Sequence, residues 1–402
     1  MSDKTTALNQ LAINNGTPVR KKLLPYGRQL IDDKDIEAVA DVLRSGLLTT
    51  GPKILKFEQA FAEAVNVNYA VVVSSGTAAL HSAMNAAGIG AGDEVITTPL
   101  SFVATANCVR YQQATVVFAD VEPDTLNIDP ERVEACITPK TKAVLAVDYT
   151  GRPANLSALK ELCRIHGLVL IEDAAHSLGA TYMGQKIGSI ADLTTFSMHP
   201  VKHITTGEGG VVTTNDERVA RHLNQLRNHG LTQDHIQRQR TGTWEYDMKE
   251  IGYNYRHTDY HCALGISQLQ KLPVMLERRR EIARKYRQAF ADVPEIGLPV
   301  KSSDCEPSWH LYVVRLNLAR FGVGRKEIFD ALRAENIGVN VHYIPIPWLT
   351  YYQNLGHKKG GWPVAEEAYW EILSLPIWPG MTDADVDDVV MAIQKVIVAY
   401  RI

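Results

Sequence analysis

Lys202 is the residue whose surroundings in this sequence most favour covalent chemistry. It lies between the hydroxyl-bearing end of a strand-like run, at Ser197, and the glycine-rich turn Gly207-Glu-Gly-Gly210. An amine in a partly desolvated pocket loses its proton more readily than a surface lysine, and the neutral amine can form a Schiff base with a carbonyl. Because lysines are common, the inference depends on the residues that accompany Lys202.

Asp173 supplies a carboxylate at the end of a second strand-like run. It follows the apolar residues Leu168–Ile171 and should stand at the carboxyl edge of a sheet, where open α/β folds bind ligands. A carboxylate there can keep a pyridine nitrogen protonated, which lets the ring accept electrons. His176 can reach the same side and hydrogen-bond a phenolic oxygen. The alternative, a helix N-cap aspartate beside a structural histidine, is weakened by the presence of Lys202.

The segment Ser74-Ser-Gly-Thr77 lies where a strand gives way to a helix. Backbone N–H groups at a helix N-terminus form a phosphate site, Gly76 allows close approach, and Ser75 and Thr77 add hydroxyl donors. Ser197 could give the phosphate a further hydroxyl. Taken alone, the segment fits an N-cap without a ligand equally well.

Phe102 follows another strand-like run and could stack on a cofactor ring, although a core phenylalanine is nearly as plausible. A phosphate turn, a stacking aromatic, a strand-end carboxylate and a nucleophilic lysine thus succeed one another along the chain. Together they predict a pyridoxal 5′-phosphate (PLP) site.

The elements that must position these residues show the pattern of an α/β protein. Helical segments end at glycines, such as Ala78–Ala87 before Gly88. Continuous apolar strands that alternate with helices predict a mostly parallel sheet covered on both faces. Seven short β-branched runs are predicted strands: Tyr69–Val73, Glu94–Thr98, Thr115–Ala119, Ala143–Val147, Val169–Glu172, Leu193–Phe196 and Gly210–Thr214.

A chain of 402 residues exceeds the usual size of a single core, so we expect two domains. The expected division is a flexible N-terminal arm (1–22), a large PLP-binding domain (23–260) and a smaller C-terminal α+β domain (261–402). The small domain should begin with a long helix from Cys262 to Phe290, interrupted at Pro273. Further expected elements are strands at Leu311–Leu316 and Gly338–His342, and helices near Lys326–Glu335 and at Asp383–Val398.

The bulk composition excludes several other classes of protein. The formal net charge of −3 gives no reason to expect a nucleic-acid partner. Five scattered cysteines without a C-x-x-C pair argue against a disulfide framework and a structural zinc site, and no metal is expected. No apolar run is long enough to span a membrane, and the polar N-terminus lacks the apolar region of a signal peptide. A reduced, cytoplasmic protein without a membrane partner is therefore expected.

Six segments together resemble the DegT/StrS family of PLP-dependent nucleotide-sugar aminotransferases, and the likeness runs from about Pro25 to the C-terminus. The resemblance implies the type I aspartate aminotransferase fold, with a mostly parallel seven-stranded sheet, helices on both faces and a smaller C-terminal α+β domain. The six segments are Ser75-Gly-Thr77, Glu172-Asp-Ala-Ala-His176, Ser197-Met-His-Pro-Val-Lys202, Gly207-Glu-Gly-Gly210, Gly252-Tyr-Asn-Tyr-Arg256 and Ser374-Leu-Pro376.

The resemblance also implies a role for each matched residue. Lys202 would be the Schiff-base lysine, Asp173 the partner of the pyridine nitrogen and His176 a ligand of the phenolic oxygen. The phosphate would be held by Gly76, Thr77 and Ser197. Asn254 would reach the phosphate from the other subunit, which implies a homodimer with its sites at the interface. Tyr26, His342 and Tyr343 would line the sugar pocket.

Within the family, the segments Pro25-Tyr26, His199-Pro-Val-Lys202 and Ile204–Gly210 are most similar to the aminotransferases of pseudaminic acid biosynthesis. That likeness implies transfer of an amino group from L-glutamate to C4 of a UDP-linked 4-keto-6-deoxy-N-acetylhexosamine. The cycle would be ping-pong, with pyridoxamine 5′-phosphate (PMP) as the intermediate cofactor form. Met198, His203 and a longer arm before Pro25 depart from the expected pattern, so the sugar stays open.

Three alternatives accompany this interpretation. A different nucleotide, a C3 ketone or a cyclitol would fit the same motifs. A PMP-dependent sugar dehydratase would be expected to carry histidine in place of Lys202, and a non-catalytic regulator would be expected to have lost Lys202 or Asp173. The segment Asp234–Arg240 could grip a diphosphate or form a loop without that role.

Overall fold

A computed structural model describes residues 7–233, 238, 240–301 and 303–402. The segment Asp234–Arg240, considered above for a diphosphate, lies outside the described residues except for Arg238 and Arg240. In chain order the strands are β1 (Tyr69–Val73), β2 (Glu94–Thr97), β3 (Thr115–Phe118), β4 (Thr141–Val147), β5 (Val169–Asp173), β6 (Thr181–Tyr182), β7 (Gln185–Lys186), β8 (Leu193–Ser197), β9 (Gly210–Thr214), β10 (Ile296–Gly297), β11 (Cys305–Glu306), β12 (Tyr312–Leu316) and β13 (Ile372–Leu375).

The helices connect and cover these strands. In chain order they are α1 (Asp33–Ser45), α2 (Pro52–Val65), α3 (Gly76–Ala86), α4 (Ala104–Tyr111), α5 (Pro130–Ala135), α6 (Leu156–His166), α7 (Glu217–Leu226), α8 (Asp259–Ala289), α9 (Arg325–Ala334), α10 (Thr350–Asn354), α11 (Pro363–Glu371) and α12 (Asp383–Tyr400). None of the described helices is both long enough and apolar enough to cross a membrane.

The seven runs predicted as strands form one sheet in the order β1-β9-β8-β5-β4-β2-β3. The strands from β8 to β3 in that order run parallel, whereas β9 pairs antiparallel with both β1 and β8. Because side chains alternate along a strand, Val72 packs with α2 on one face of the sheet and Val71 with α3 on the other. The predicted mostly parallel sheet with helices on both faces is confirmed.

The second half of the chain contains a three-stranded antiparallel sheet, β10-β12-β13, that packs with α9 and α12. The first half of α8 packs in the core of the large sheet through Leu272, and its second half packs in the core of the small sheet through Tyr286. On this ground we propose the domain division near residue 260, with α8 as the connection.

Two predicted details of the C-terminal half are wrong. Residues 338–342 form no strand, because the Gly338 N–H donates to the Leu24 carbonyl while Asn340 makes only an isolated bridge with Ser374. The long helix is not interrupted at Pro273, which lies on the exposed face of a continuous α8. There the missing N–H removes a single helical hydrogen bond, and the carbonyl it leaves free can face water.

The expected flexible arm is also wrong for its described part, residues 7–22. Leu11 is fully buried in the core of the small sheet. The backbone N–H groups of Ala12 and Val19 donate to the carboxylate of Glu335, at 2.9 and 2.8 Å. Arg20 forms an ion pair with Asp385 at 2.8 Å. A single buried leucine in a polar segment has no periodicity, so the sequence pattern did not indicate this packing.

Candidate active site

A cavity of about 570 Å³ opens at the carboxyl edge of the large sheet. The parallel strands β2, β4, β5 and β8 direct their carboxyl ends to this edge, so residues far apart in sequence meet there. Every predicted site residue except Asn254 lines the cavity: Tyr26, Ser75, Gly76, Thr77, Phe102, Asp173, His176, Ser197, Lys202, His342 and Tyr343.

One end of the cavity is the N-terminus of α3. Ser75 is the N-cap of this helix, and its hydroxyl oxygen accepts a hydrogen bond from the Ala78 N–H at 3.1 Å. A Cβ at Gly76 would lie 2.8 Å from Cβ of Ser197, so glycine is what lets the helix approach the end of β8. The N-terminus of the helix, Thr77 and Ser197 therefore line the same part of the cavity, which suits a phosphate.

Asp173, at the end of β5, is buried in the cavity wall. One carboxylate oxygen accepts from the Thr105 hydroxyl at 2.8 Å, and the other accepts from the Ala175 N–H at 3.2 Å. Burial raises the pKa of Asp173, whereas the Thr105 and Ala175 hydrogen bonds and the charge of Lys202 oppose that rise. These contacts favour the ionised carboxylate that a pyridinium nitrogen requires.

Thr105 was not predicted from the sequence. It lies in the first turn of α4, and its own hydroxyl is within 2.8 Å of the Ser101 hydroxyl. Both residues follow the predicted strand end that carries Phe102, so a hydroxyl cluster after that strand was the available signal. Asn340 and Glu208 also line the cavity without having been predicted.

Lys202 lies in the loop after β8, and its backbone N–H donates to the His199 carbonyl at 2.9 Å. Its side chain is partly buried. Desolvation lowers the pKa of the ammonium to about 8, although the nearby Asp173 carboxylate acts in the opposite direction. Lys202 is therefore a base that can lose and regain its proton near neutral pH.

His176 lies between the cavity and a group of buried histidines. Its Nε2 is 3.1 Å from the Tyr343 hydroxyl, and its ring centroid is 4.4 Å from that of His310. Burial, and then the charge of Lys202, place the pKa of His176 well below its usual value, so the ring is neutral. Its Nδ1 is buried and has no hydrogen-bond partner within the part of the chain that the structure describes.

Two pairs of aromatic or imidazole rings line the cavity together. The rings of Tyr26 and His342 are 5.2 Å apart, and those of Phe102 and Tyr343 are 6.3 Å apart. His342 is fixed by a contact of 2.8 Å between its Nδ1 and the Ser374 hydroxyl. Phe102 is exposed rather than part of the core, which favours a ligand contact over the alternative of core packing.

Asn254 is the predicted site residue that the structure does not bring to this cavity. It is exposed and forms a backbone bridge with Asn228. Asn228 lines a second cavity, of about 480 Å³, together with Arg227 and Arg256. Asn254 therefore does not line the cavity of its own chain.

The chain matches the DegT/DnrJ/EryC1/StrS aminotransferase family over residues 29–394. It is 43% identical over 381 residues to the spore coat polysaccharide biosynthesis protein SpsC of Bacillus subtilis, covering 94% of this chain and 98% of SpsC.

Two solved structures are similar over nearly their whole length. The PMP form of Spr1654 from Streptococcus pneumoniae, a proposed sugar aminotransferase, superposes with a TM-score of 0.88 at 32% identity, covering 93% of this chain and 99% of Spr1654. PseC of Helicobacter pylori, an aminotransferase of pseudaminic acid biosynthesis, superposes with a TM-score of 0.87 at 34% identity and covers the same shares.

The residues of the cavity fit the cofactor that these comparisons imply. Spr1654 has been solved with PLP as well as with PMP. In this chain, the α3 N-terminus with its Gly76 cradle suits the phosphate, Asp173 suits the ring nitrogen, and His176 lines the same cavity. The chain is therefore a PLP-dependent sugar aminotransferase of the DegT/DnrJ/EryC1/StrS family, with the type I aspartate aminotransferase fold.

Proposed function

We propose that the enzyme transfers the amino group of L-glutamate to C4 of a UDP-linked 4-keto-6-deoxy-N-acetylhexosamine, a reaction of the pseudaminic acid type. The similarity to PseC over nearly the whole of both chains supports this sugar. The observation that supports this reaction is that Lys202, Asp173 and the α3 N-terminus line one cavity together with several aromatic rings.

Lys202 is the proposed acid and base of both half-reactions. When bound, PLP supplies the carbonyl that bonds the amine and the ring that accepts electrons. With its pKa near 8, the Lys202 amine can take the proton from the α-carbon of glutamate and release it again. In the second half-reaction it returns a proton to C4 of the sugar. Glutamate leaves as 2-oxoglutarate before the keto sugar enters, so the kinetics are ping-pong.

The remaining residues bind and orient. Asp173 would hold the ring nitrogen, and Ser75, Gly76, Thr77 and Ser197 would hold the phosphate. His176 would contact the phenolic oxygen, and Phe102 would cover the ring. Because burial keeps His176 neutral, it can share a hydrogen bond with that oxygen without adding a charge beside Lys202. Tyr26, His342 and Tyr343 are the proposed sugar contacts.

We also propose a cytoplasmic homodimer in which Asn254 of each protomer completes the partner's site. Asn254 is exposed and does not line the cavity of its own chain, which leaves it free for such a role. The preceding segment carries strongly exposed apolar side chains, with Trp244 at 83% and Ile251 at 80%. We propose that these exposed apolar side chains contact the partner subunit.

A panel assay tests the proposed sugar. The PMP form of the purified enzyme is mixed with UDP- and dTDP-linked 4-keto sugars, a nucleotide-linked 3-keto sugar and a keto cyclitol, and the return of the visible absorption of lysine-bound PLP is followed. We expect the UDP-4-keto-6-deoxy-N-acetylhexosamine to react fastest, and Lys202→Ala to give no return with any sugar. A faster reaction of a dTDP sugar, or of a C3 ketone or a cyclitol, would contradict the proposal.

One observation favours the alternative of a different keto sugar. SpsC, which shares 43% of aligned residues with this chain, is named for spore coat polysaccharide biosynthesis. In the same panel, that alternative predicts a preferred substrate outside the UDP-linked 4-keto-6-deoxy-N-acetylhexosamines. A dehydratase is disfavoured by Lys202 itself, and loss of water rather than gain of an amine would be its signature.

A further inference from the structure

Two carboxyl groups are buried behind the end of β5 and have no role in the chemistry proposed so far. Glu172 and Asp148 are both 0% exposed, and neither lines the cavity. The parallel register pairs Ala146 with Glu172 and Val147 with Asp173. Since side chains alternate, Asp148 and Glu172 project to one face of the sheet and Asp173 to the other. Because they share a face at neighbouring positions of two paired strands, the two carboxyl groups lie next to each other, and each shifts the pKa of the other.

The hydrogen bonds around the pair show which carboxyl group holds a proton. Asp148 accepts from the Ala154 N–H at 2.9 Å and from the Ser177 hydroxyl at 2.5 Å. One oxygen of Glu172 accepts from the Thr194 hydroxyl at 2.8 Å. Its other oxygen, Oε1, is buried and receives no hydrogen bond from any described residue. A proton on Oε1 that is donated to Asp148 would satisfy this atom.

Charge leads to the same arrangement. Two adjacent carboxylates in a desolvated site repel each other strongly, whereas one shared proton leaves a single charge that three donors can stabilise. Burial raises the pKa of Glu172 well above its usual value, and burial also raises that of Asp148, to about 6. Three oxygens of the pair, two on Asp148 and one on Glu172, therefore accept from fixed donors, and the fourth, Oε1 of Glu172, is the one that can hold the proton between the carboxyl groups.

Asp148 connects this pair to the site. Its backbone N–H donates to the Asp173 carbonyl at 3.2 Å, and its side chain holds the hydroxyl of Ser177, which follows His176 directly. The Ser177 N–H closes the intervening turn onto the Ala174 carbonyl at 3.0 Å. Asp148 thus holds both ends of the short segment that carries Asp173 and His176.

We propose that Glu172 carries a proton that it donates to Asp148, and that this acid pair positions Asp173 and His176 for the cofactor. The inference rests on the proposed roles of Asp173 and His176. Glu172 and Asp148 are positioning residues, because they act through the turn and not on the cofactor or the sugar. Of the two consecutive acidic residues, Asp173 therefore faces the cofactor site, and Glu172 supports it from the opposite face of the sheet.

Infrared difference spectroscopy of the apoenzyme tests the proton directly. The wild-type spectrum minus that of Glu172→Gln at neutral pH should show the C=O stretch of a protonated carboxyl group, with a shift in D₂O. Glu161→Gln, at an exposed helix position, is the matched control and should show only carboxylate bands. Absence of the protonated band from the Glu172→Gln difference would overturn the proposal.

Cofactor binding tests the positioning role. The amide of Glu172→Gln can still donate to Asp148 and accept from Thr194, so we expect PLP affinity within about twofold of wild type. Glu172→Ala and the milder Ser177→Ala should weaken PLP binding about tenfold or more, the size of one lost hydrogen bond to a charged group. The pH at which the visible absorption of lysine-bound PLP reaches its midpoint should also shift in Glu172→Ala and in Ser177→Ala.

Two results would refute the positioning role. If Glu172→Gln bound PLP as weakly as Glu172→Ala, an ionised carboxylate would be required in place of a donor. If Ser177→Ala and Glu172→Ala both bound PLP normally with an unchanged pH midpoint, the pair would have no influence on the site. The infrared band and the PLP affinity do not depend on the sugar, so failure of the panel assay leaves this inference intact.

Discussion

Asp173 can stabilise positive charge on a bound ring only while its carboxylate is ionised, and two hydrogen bonds oppose the cost of its burial. We expect Asp173→Asn to retain PLP on Lys202 but to lose glutamate turnover by about 10²–10³-fold, the range for removal of one electrostatic contact to a developing charge. Stopped-flow absorbance with glutamate measures this. Thr105→Val keeps the carboxylate and removes one hydrogen bond, so its glutamate turnover should fall much less. An equal fall in both variants would contradict the role of the charge.

The lowered pKa of Lys202 gives a prediction about pH. With a pKa of about 8, roughly one molecule in ten has a neutral Lys202 at pH 7, compared with fewer than about one in a thousand for an ordinary lysine. The rate at which the apoenzyme captures PLP should therefore rise with pH, with a midpoint near 8. Asp173→Asn removes the anion that favours the ammonium, so its midpoint should be lower. A midpoint near that of a surface lysine would contradict this assignment.

Residue types and their order were enough to predict the cofactor end of the cavity, because Ser75, Asp173 and Lys202 each follow a strand whose end the sheet topology brings to one edge. Tyr26, His342 and Tyr343 were predicted only through the family resemblance. Thr105 was missed because its contact with Asp173 joins two different strand ends, so the only signal in the sequence was the hydroxyl cluster around Phe102. The Glu172–Asp148 contact was missed for a similar reason, since it depends on the register between β4 and β5. Cross-strand register is the information that a single sequence does not contain.

At the scale of elements, the junction of α3 with β8 depends on Gly76. An added Cβ would lie 2.8 Å from Cβ of Ser197, closer than side chains pack, so Gly76→Ala must open the phosphate cradle. We expect PLP affinity to fall about tenfold or more, in line with the cost of overpacking. Gly90→Ala is the matched control, because nothing lies within 4 Å of its added Cβ. Equilibrium dialysis of PLP measures both, and equal affinities would refute the cradle.

The N-terminal segment gives a second prediction at this scale. Leu11 is 0% exposed in the core of the small sheet, whereas Ile13, two residues later, is 45% exposed. Leu11→Ala should lower the free energy of unfolding by about 2–5 kcal/mol, and Ile13→Ala should change it little. Urea unfolding followed by circular dichroism measures both. Similar small effects would mean that the segment is as loosely held as its polar sequence suggested.

Strands and helices could be predicted where the hydrophobic pattern was continuous. The prediction failed where tertiary contacts determined the backbone conformation. The seven β-branched runs could bury both faces only in a sheet, and they do. Residues 338–342 had strand-like composition, but their backbone divides its hydrogen bonds between Leu24 and Ser374. Pro273 reads as a helix break, yet on an exposed face it is accommodated.

At the scale of the whole molecule, the proposed homodimer explains why Asn254 lies away from the cavity of its own chain. Suppose that Asn254 contributes to the partner's site. A dimer of one chain without Lys202 and one chain without Asn254 then keeps one intact site. In such a mixed dimer, one site carries both substitutions and the other carries none. The same mixture is inactive if Lys202 and Asn254 serve the same chain.

This difference makes the subunit arrangement testable. Lys202→Ala and Asn254→Ala, each purified with little activity, are unfolded together in equal amounts and refolded. Random pairing of two chains gives half mixed dimers with one intact site each, so activity should recover to about one quarter of the refolded wild type. Refolding each variant alone is the control and should recover nothing. If the mixture stays as inactive as the controls, Asn254 acts within its own chain; if Asn254→Ala is active by itself, it is not part of the site.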